Sequence, residues 1–149
     1  MICPAAIDPS ALLARFSNDH RAAGAVVSFT GVVRCDGGVN AIELDHHASY
    51  SAKVIGAIGA EAKARFEISD CLIAHRVGRV AVGEPIVFVA AAATHRRAAF
   101  EAVDYLMDRL KTEAPLWKRE IGADGGKWIE ARDADWADAA RWGEQDADR

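Results

Sequence analysis

Two hydrophobic rhythms, one helical and one alternating, divide most of the chain. Residues 8–21 (DPSALLARFSNDHR) place Leu12, Leu13 and Phe16 on one side at helical spacing, with Ser10 positioned to cap the first turn. Residues 24–34 (GAVVSFTGVVR) are rich in β-branched residues and bounded by Gly24 and Gly37-Gly38, which predicts a buried strand. Cys35 to Gly38 has turn composition. In 39–47 (VNAIELDHH) Ile42 and Leu44 alternate with Glu43 and Asp45, a half-exposed strand expected to pair with 24–34 as a hairpin. Residues 50–66 read as a helix with Val54, Ile58 and Ala62 at four-residue spacing. Gly56 and Gly59 each weaken that helix by about 1 kcal/mol relative to Ala, so close approach of another backbone is expected there. Strands follow at 70–77 and 79–82, then a turn at Gly83-Glu84-Pro85. IVFVAAAA, 86–93, is apolar on both faces and predicts a central strand. The longest helix runs from Thr94 to Thr112 and is stopped by Pro115, which disfavours the helical region in the residue before it. A short strand at 127–131 completes the order α-β-β-α-β-β-β-α-β, a single domain of α+β or mixed α/β class.

Composition narrows the function classes. The 149 residues are 51% hydrophobic and 27% charged, which fits one globular domain and excludes disorder as the dominant state. No apolar run approaches a membrane span, and MICPAAIDPS lacks the basic and apolar regions of a signal peptide. Three cysteines, Cys3, Cys35 and Cys71, form neither a paired disulfide framework nor a zinc pattern. A reducing cytoplasm is the expected location. Six of the 22 acids and two of the 18 cations lie from Asp133 onward, leaving a body with 16 of each. That neutral body argues against nucleic-acid binding but leaves room for a small anion site. The expected division is a domain over 1–142 and a flexible acidic tail over 143–149.

The candidate chemistry lies around the longest helix. With Thr94 as N-cap, His95, Arg96 and Arg97 occupy its first three positions, where free N–H groups and the positive dipole end disfavour cations. Such a cluster is explained by a bound anion, or by solvation and pairing with acids such as Glu101. Arg97, Glu101, Asp104, Asp108 and Lys111 share one polar face. Lys111 leaves the last turn on that face, where it also complements the dipole. Past Pro115, WKRE (117–120) is expected to bury Trp117 and to bring Lys118 and Arg119 near Lys111. A partly desolvated lysine among cations loses its proton more readily and then serves as nucleophile or base. The alternative is a solvated basic strand end. His75 reads as a core or interface histidine, and Cys35 as an exposed thiol without an assigned base. His46 and His47 point to opposite sides of a strand, so no metal site is expected. The glycines form no dinucleotide or phosphate loop.

GAVVSFTGVVR, HRVG, GEPIVFVAAAATHR, AFEAVDYLMDRLKTEAPLWKRE and KWIEAR, taken in order over roughly residues 24–142, resemble the catalytic, large subunit of molybdopterin synthase. The resemblance implies an α/β hammerhead-like fold with an added antiparallel β subdomain. It implies a sulfurtransferase that converts cyclic pyranopterin monophosphate to molybdopterin. The sulfur donor is a small ubiquitin-like partner whose C-terminal Gly-Gly carries a thiocarboxylate. A central homodimer with one small subunit at each end, a heterotetramer, is implied as well. No cofactor or metal is implied. Carried onto this chain, the catalytic lysines fall on Lys111 and Lys118, and substrate-binding positions on Val32, Val33, Arg34, His95, Arg96, Arg119 and Glu120. Three departures stand out: Val32 where a lysine can occur, a short turn after Arg34, and His47 where a tyrosine is usual. The rival expectation is a non-catalytic dimeric module that docks a ubiquitin-like tail or a small anion. Only the enzyme needs both lysines as amines.

Overall fold

The run of small and β-branched residues at 85–93 organises the fold; the helix after it is matched in length by the one at Ala48–Arg65, each of 18 residues. A computed structural model of the chain describes residues 1–144. In chain order its elements are β1 (Ile2–Cys3), α1 (Pro9–Asp19), β2 (Ala25–Val32), β3 (Val39–His46), α2 (Ala48–Arg65) and β4 (Ile68–Arg76). There follow β5 (Gly78–Ala81), β6 (Pro85–Ala93), α3 (Arg96–Glu113), β7 (Leu116–Gly122), β8 (Gly125–Ile129) and α4 (Asp133–Glu144). They form a single α+β domain with two four-stranded sheets, ordered β1-β4-β6-β2 and β5-β3-β7-β8. Among the described residues only β1 and β4 run parallel. β6 lies inside the first sheet and is buried on both faces, as its uninterrupted apolar run predicts. One face packs Val87, Val89 and Ala91 against Ile55 and Ile58 of α2 and Leu106 of α3. The other packs Phe88, Ala90 and Ala92 against Phe16 of α1. A smaller core of Val33, Leu44 and Val80 joins the second sheet to the first.

Several expectations are corrected. Strands 24–34 and 39–47 do not form a hairpin: β2 pairs with β6, while β3 pairs with β5 and β7 in the other sheet. Nor is β2 buried; it is an edge strand with Phe29 and Val32 exposed. The cap of α1 is Asp8, whose carboxylate accepts from the N–H groups of Ser10 and Ala11 at 3.0 Å. Gly56 meets nothing, and a Cβ on Gly59 would touch only the side chains of Cys71 and Ile73. The tightly approached glycine is Gly24, where a Cβ would fall 2.3 Å from the Thr94 carbonyl oxygen. Ala114, before Pro115, is extended at ψ 123°, as the proline requires.

The sequence pattern predicts β7 only as a basic strand end and does not predict α4. Its first residues are acidic and its apolar positions sparse, yet Trp142 anchors it. The indole stacks edge-on against Phe66 and Tyr105. Its Nε1 donates to Asp108 Oδ2 at 2.7 Å, Arg141 Nη2 donates to the same oxygen at 2.8 Å, and Arg65 donates to the Trp142 carbonyl. The polar face of α3 is therefore partly covered, with Asp108 buried. Helix α4 includes Gly143 and Glu144; the rest of the expected flexible tail, 145–149, lies outside the described residues. Replacing Asp108 by Ala strands the buried indole N–H, and a loss of about 2–3 kcal/mol is expected in urea unfolding.

Candidate functional site

Lys111 stands in the last turn of α3, Pro115 breaks the helix, and β7 carries the chain back across the second sheet with Lys118 at its third position. Lys118 pairs in register with Leu44 of β3 and Ile129 of β8, so it faces the side of the sheet that holds the small Val33–Leu44–Val80 core. Burial pushes its pKa down, and the nearby Lys111 pushes it further, while Asp135 of α4 opposes both. Lys118 has no ion pair among the described residues. Lys111 does: its Nζ donates to Asp135 Oδ1 at 3.0 Å. The two lysines are thus unlike. One is ion-paired with a carboxylate; the other is desolvated, loses its proton more readily than an ordinary lysine, and has no ion pair among the described residues. His75 of β4 lies within electrostatic reach of Lys118, and burial lowers its pKa to about 4, with Lys118 adding to the shift. Its Nδ1–H donates to the Arg76 carbonyl at 2.8 Å, consistent with the core role expected of it.

The expected cationic end is only partly formed. Successive residues of a strand face opposite ways, so Arg119 and Trp117 lie on the other side of β7 from Lys118. Arg119 Nη2 pairs with Glu43 Oε1 at 3.1 Å, and its guanidinium stacks 5.4 Å from the Trp128 ring. Gly126 makes room for it: a Cβ there would fall 2.7 Å from Arg119 Cδ. Trp117 does not bury its ring but is 53% exposed. Glu120 shares the Lys118 face, opposite Ile42 and Lys127. Val32 is exposed at the irregularity that ends β2. Val33 offers little to a ligand, because its side chain is buried and its N–H and carbonyl bond to Glu84 O at 3.1 Å and Gly83 N at 2.9 Å. It fixes the exit of β2 and so aims the exposed Arg34.

At the other end of α3 the N-cap is His95, not Thr94, with no side-chain cap bond; Arg96 and Arg97 take the first two positions. Arg97 reaches Glu101 at 3.8 Å, whereas His95 and Arg96 are exposed with no polar partner among the described residues. This anion-type cluster is far from the lysines. Fifteen helical steps separate Arg96 from Lys111, about 22 Å at 1.5 Å each. The sheet gives the same ruler: β2 and β6 are antiparallel, with Val32 beside Pro85 and Ala25 beside Ala93. Arg34 and the lysines lie toward one end of β6, and His95 and Arg96 follow the other. Within one chain the candidate residues therefore form two half-sites.

A groove of about 580 Å3 runs beside α3, bounded by Val27 and Phe29 of β2, Phe100 and Met107 of α3 and Asp138 of α4; Lys111 lines it and Lys118 does not. Among the described residues no group of three or more His, Cys, Asp or Glu side chains could hold a metal ion. No helix among them is long and apolar enough to cross a membrane. The residue that sequence reasoning missed is Asp135. Its signal was the Arg132–Asp135 spacing at the start of α4, where an acid at the third helical position reaches back to the preceding N–H.

The pattern of the MoaE protein family matches residues 2–113. The molybdopterin synthase catalytic subunit of Pseudomonas aeruginosa is 46% identical over 143 residues, which cover 94% of this chain and 95% of that one. The solved molybdopterin biosynthesis MoaE protein of Burkholderia ambifaria is 42% identical with a TM-score of 0.82, covering 95% of each chain. A chain in the solved complex of subunits 1 and 2 of the molybdopterin-converting factor of Helicobacter pylori is 23% identical, covers 89% of each chain, and shares the fold at a TM-score of 0.74.

Proposed function

The chain belongs to the MoaE protein family, the catalytic subunits of molybdopterin synthase, and on that premise we propose that its lysine pair is the centre of sulfur transfer to a pterin. The donor is the thiocarboxylate at the C-terminal Gly-Gly of a small ubiquitin-like partner; the acceptor is cyclic pyranopterin monophosphate, which gains its dithiolene. The observation that carries this reading is the unlike pair: Lys111 ion-paired with Asp135, and Lys118 desolvated beside it with no ion pair among the described residues. The Lys111 ammonium suits a thiocarboxylate. Each of the two transfers forms a C–S bond at a pterin side-chain carbon as a C–O bond to that carbon breaks, while water replaces sulfur on the acyl carbon and the partner departs as a carboxylate. The Lys118 amine accepts the proton of that water and returns it to the departing oxygen. The groove along α3 suits a narrow tail, and glycines keep such a tail thin.

Arg34 lies at the lysine end and binds the anionic pterin there, with Glu120 on the Lys118 face and the exposed Val32 at the rim. Val33 and Arg119 act by ordering β2 and β7. His95 and Arg96 bind the phosphate, and the length of α3 means that a second copy of the chain supplies them. This is the physical argument for a homodimer, with one small subunit docked on each chain in a heterotetramer. Reconstitution of the chain with thiocarboxylated partner and pterin precursor tests the reading: dithiolene product is expected, and its absence with folded, complexed subunits contradicts it. Arg96→Ala is expected to weaken precursor binding by about 1.5–3 kcal/mol in calorimetry, less so at high salt. Unchanged affinity would return these residues to plain solvation.

A further inference from the structure

Helix α4 touches the lysine pair through one side chain, and that side chain is better bonded than either lysine. Asp135 is buried, with 10% of its side chain exposed against 42% for Lys111. Oδ1 accepts from Lys111 Nζ at 3.0 Å. Oδ2 accepts from the Arg132 backbone N–H at 2.9 Å and lies 3.5 Å from Arg132 Nε. The backbone bond closes the first turn of α4, and Trp142, Arg141 and Arg65 pin the far end of the same helix. The carboxylate is therefore held by contacts of α4 that do not depend on Lys111.

We infer that Asp135 is a positioning residue for sulfur transfer: it holds the Lys111 ammonium at the end of the α3 groove and leaves Lys118 as the unpaired amine of the pair. This rests on the reading of the lysine pair given above. A flexible lysine at a helix end has many rotamers, and one buried carboxylate bond selects among them. Burial alone would push the Asp135 carboxyl up, but the Arg132 N–H and Lys111 outweigh it, so it stays ionised more readily than usual. The charged and titratable groups facing Lys118 are Lys111 from α3, Asp135 from α4, His75 from β4, and Glu120 of β7 and Lys127 of β8 on the same face of the sheet; its strand neighbours Leu44 and Ile129 are apolar. Asp135 is the anion among them whose charge opposes the lowering of the Lys118 pKa.

The test is Asp135→Asn, beside Asp135→Glu, in the reconstituted complex. Asn keeps a carbonyl for the Arg132 N–H, so α4 stays capped, but the charge is gone. A kcat roughly 10- to 100-fold lower is expected, with precursor KM nearly unchanged and activity partly restored in Asp135→Glu. A second readout is independent of turnover: the pH dependence with which an amine-reactive acylating reagent labels Lys118 in the free chain, followed by mass spectrometry. Loss of the opposing carboxylate should move the Lys118 midpoint to lower pH. Loss of the charge moves that midpoint whatever Asp135 does in catalysis, so the midpoint tests the contact, and a kcat loss at unchanged melting temperature tests the positioning; turnover and melting temperature falling together, with neither restored in Asp135→Glu, would overturn the proposal. An unchanged midpoint with unchanged kcat overturns it as well. If the midpoint moves while turnover stays normal, the positioning role in catalysis fails. The sulfur-transfer reading itself fails separately, when wild-type protein with thiocarboxylated partner forms no dithiolene.

Discussion

Lys118→Arg is expected to reduce dithiolene formation at least roughly 100-fold, while the small partner still binds. General acid–base groups contribute about 100- to 10,000-fold, and arginine cannot supply a neutral form at any working pH. The substitution keeps the positive charge, the long stem and most of the packing beside Leu44 and Ile129. Loss of activity would therefore isolate proton exchange from charge. The sign of the pH dependence follows from the lowered pKa of Lys118: burial and Lys111 both favour the neutral amine, so wild-type activity should rise with pH as Lys118 loses its proton, at lower pH than for an ordinary lysine. Size-exclusion analysis with the partner separates docking from chemistry. Near-normal turnover in the variant would show that charge suffices, and the amine role would be wrong.

What could be read from the chain depended on how local the physics was. Elements with long uniform patterns came through: the apolar run of β6 and the helix that follows it, ended by Ala114-Pro115. Which strands pair was not legible. The segment 24–34 looks buried because its residues are β-branched, yet β2 is an edge strand, and its partner β6 lies more than fifty residues away. Helix α4 was missed because its stability is tertiary. Asp108 reads as a solvent-facing acid on α3 until Trp142 and Arg141 are seen to donate to its Oδ2. At the candidate site, the closeness of Lys111 and Lys118 followed from the proline between them. The alternation of a strand then separated Lys118 from Arg119, which the sequence reading had grouped together. The local spacing marks Asp135 as a cap, but its bond to Lys111 spans 24 positions of sequence and was not legible.

The most direct measurement of the account uses two defective chains together. Arg96→Ala removes a group from one half-site, and Lys118→Arg removes one from the other. The two positions lie near opposite ends of β6 and α3, beyond the reach of one small pterin. Co-expressed with different tags and purified through both, the mixed dimer should contain one doubly defective site and one intact site. The expected turnover, at precursor concentrations below KM, is about half that of the wild-type dimer, against strongly reduced rates for each parent variant alone. Activity no higher than that of the better parent, in a mixed dimer that is folded and binds the partner, would contradict a site built from two copies around the lysine pair.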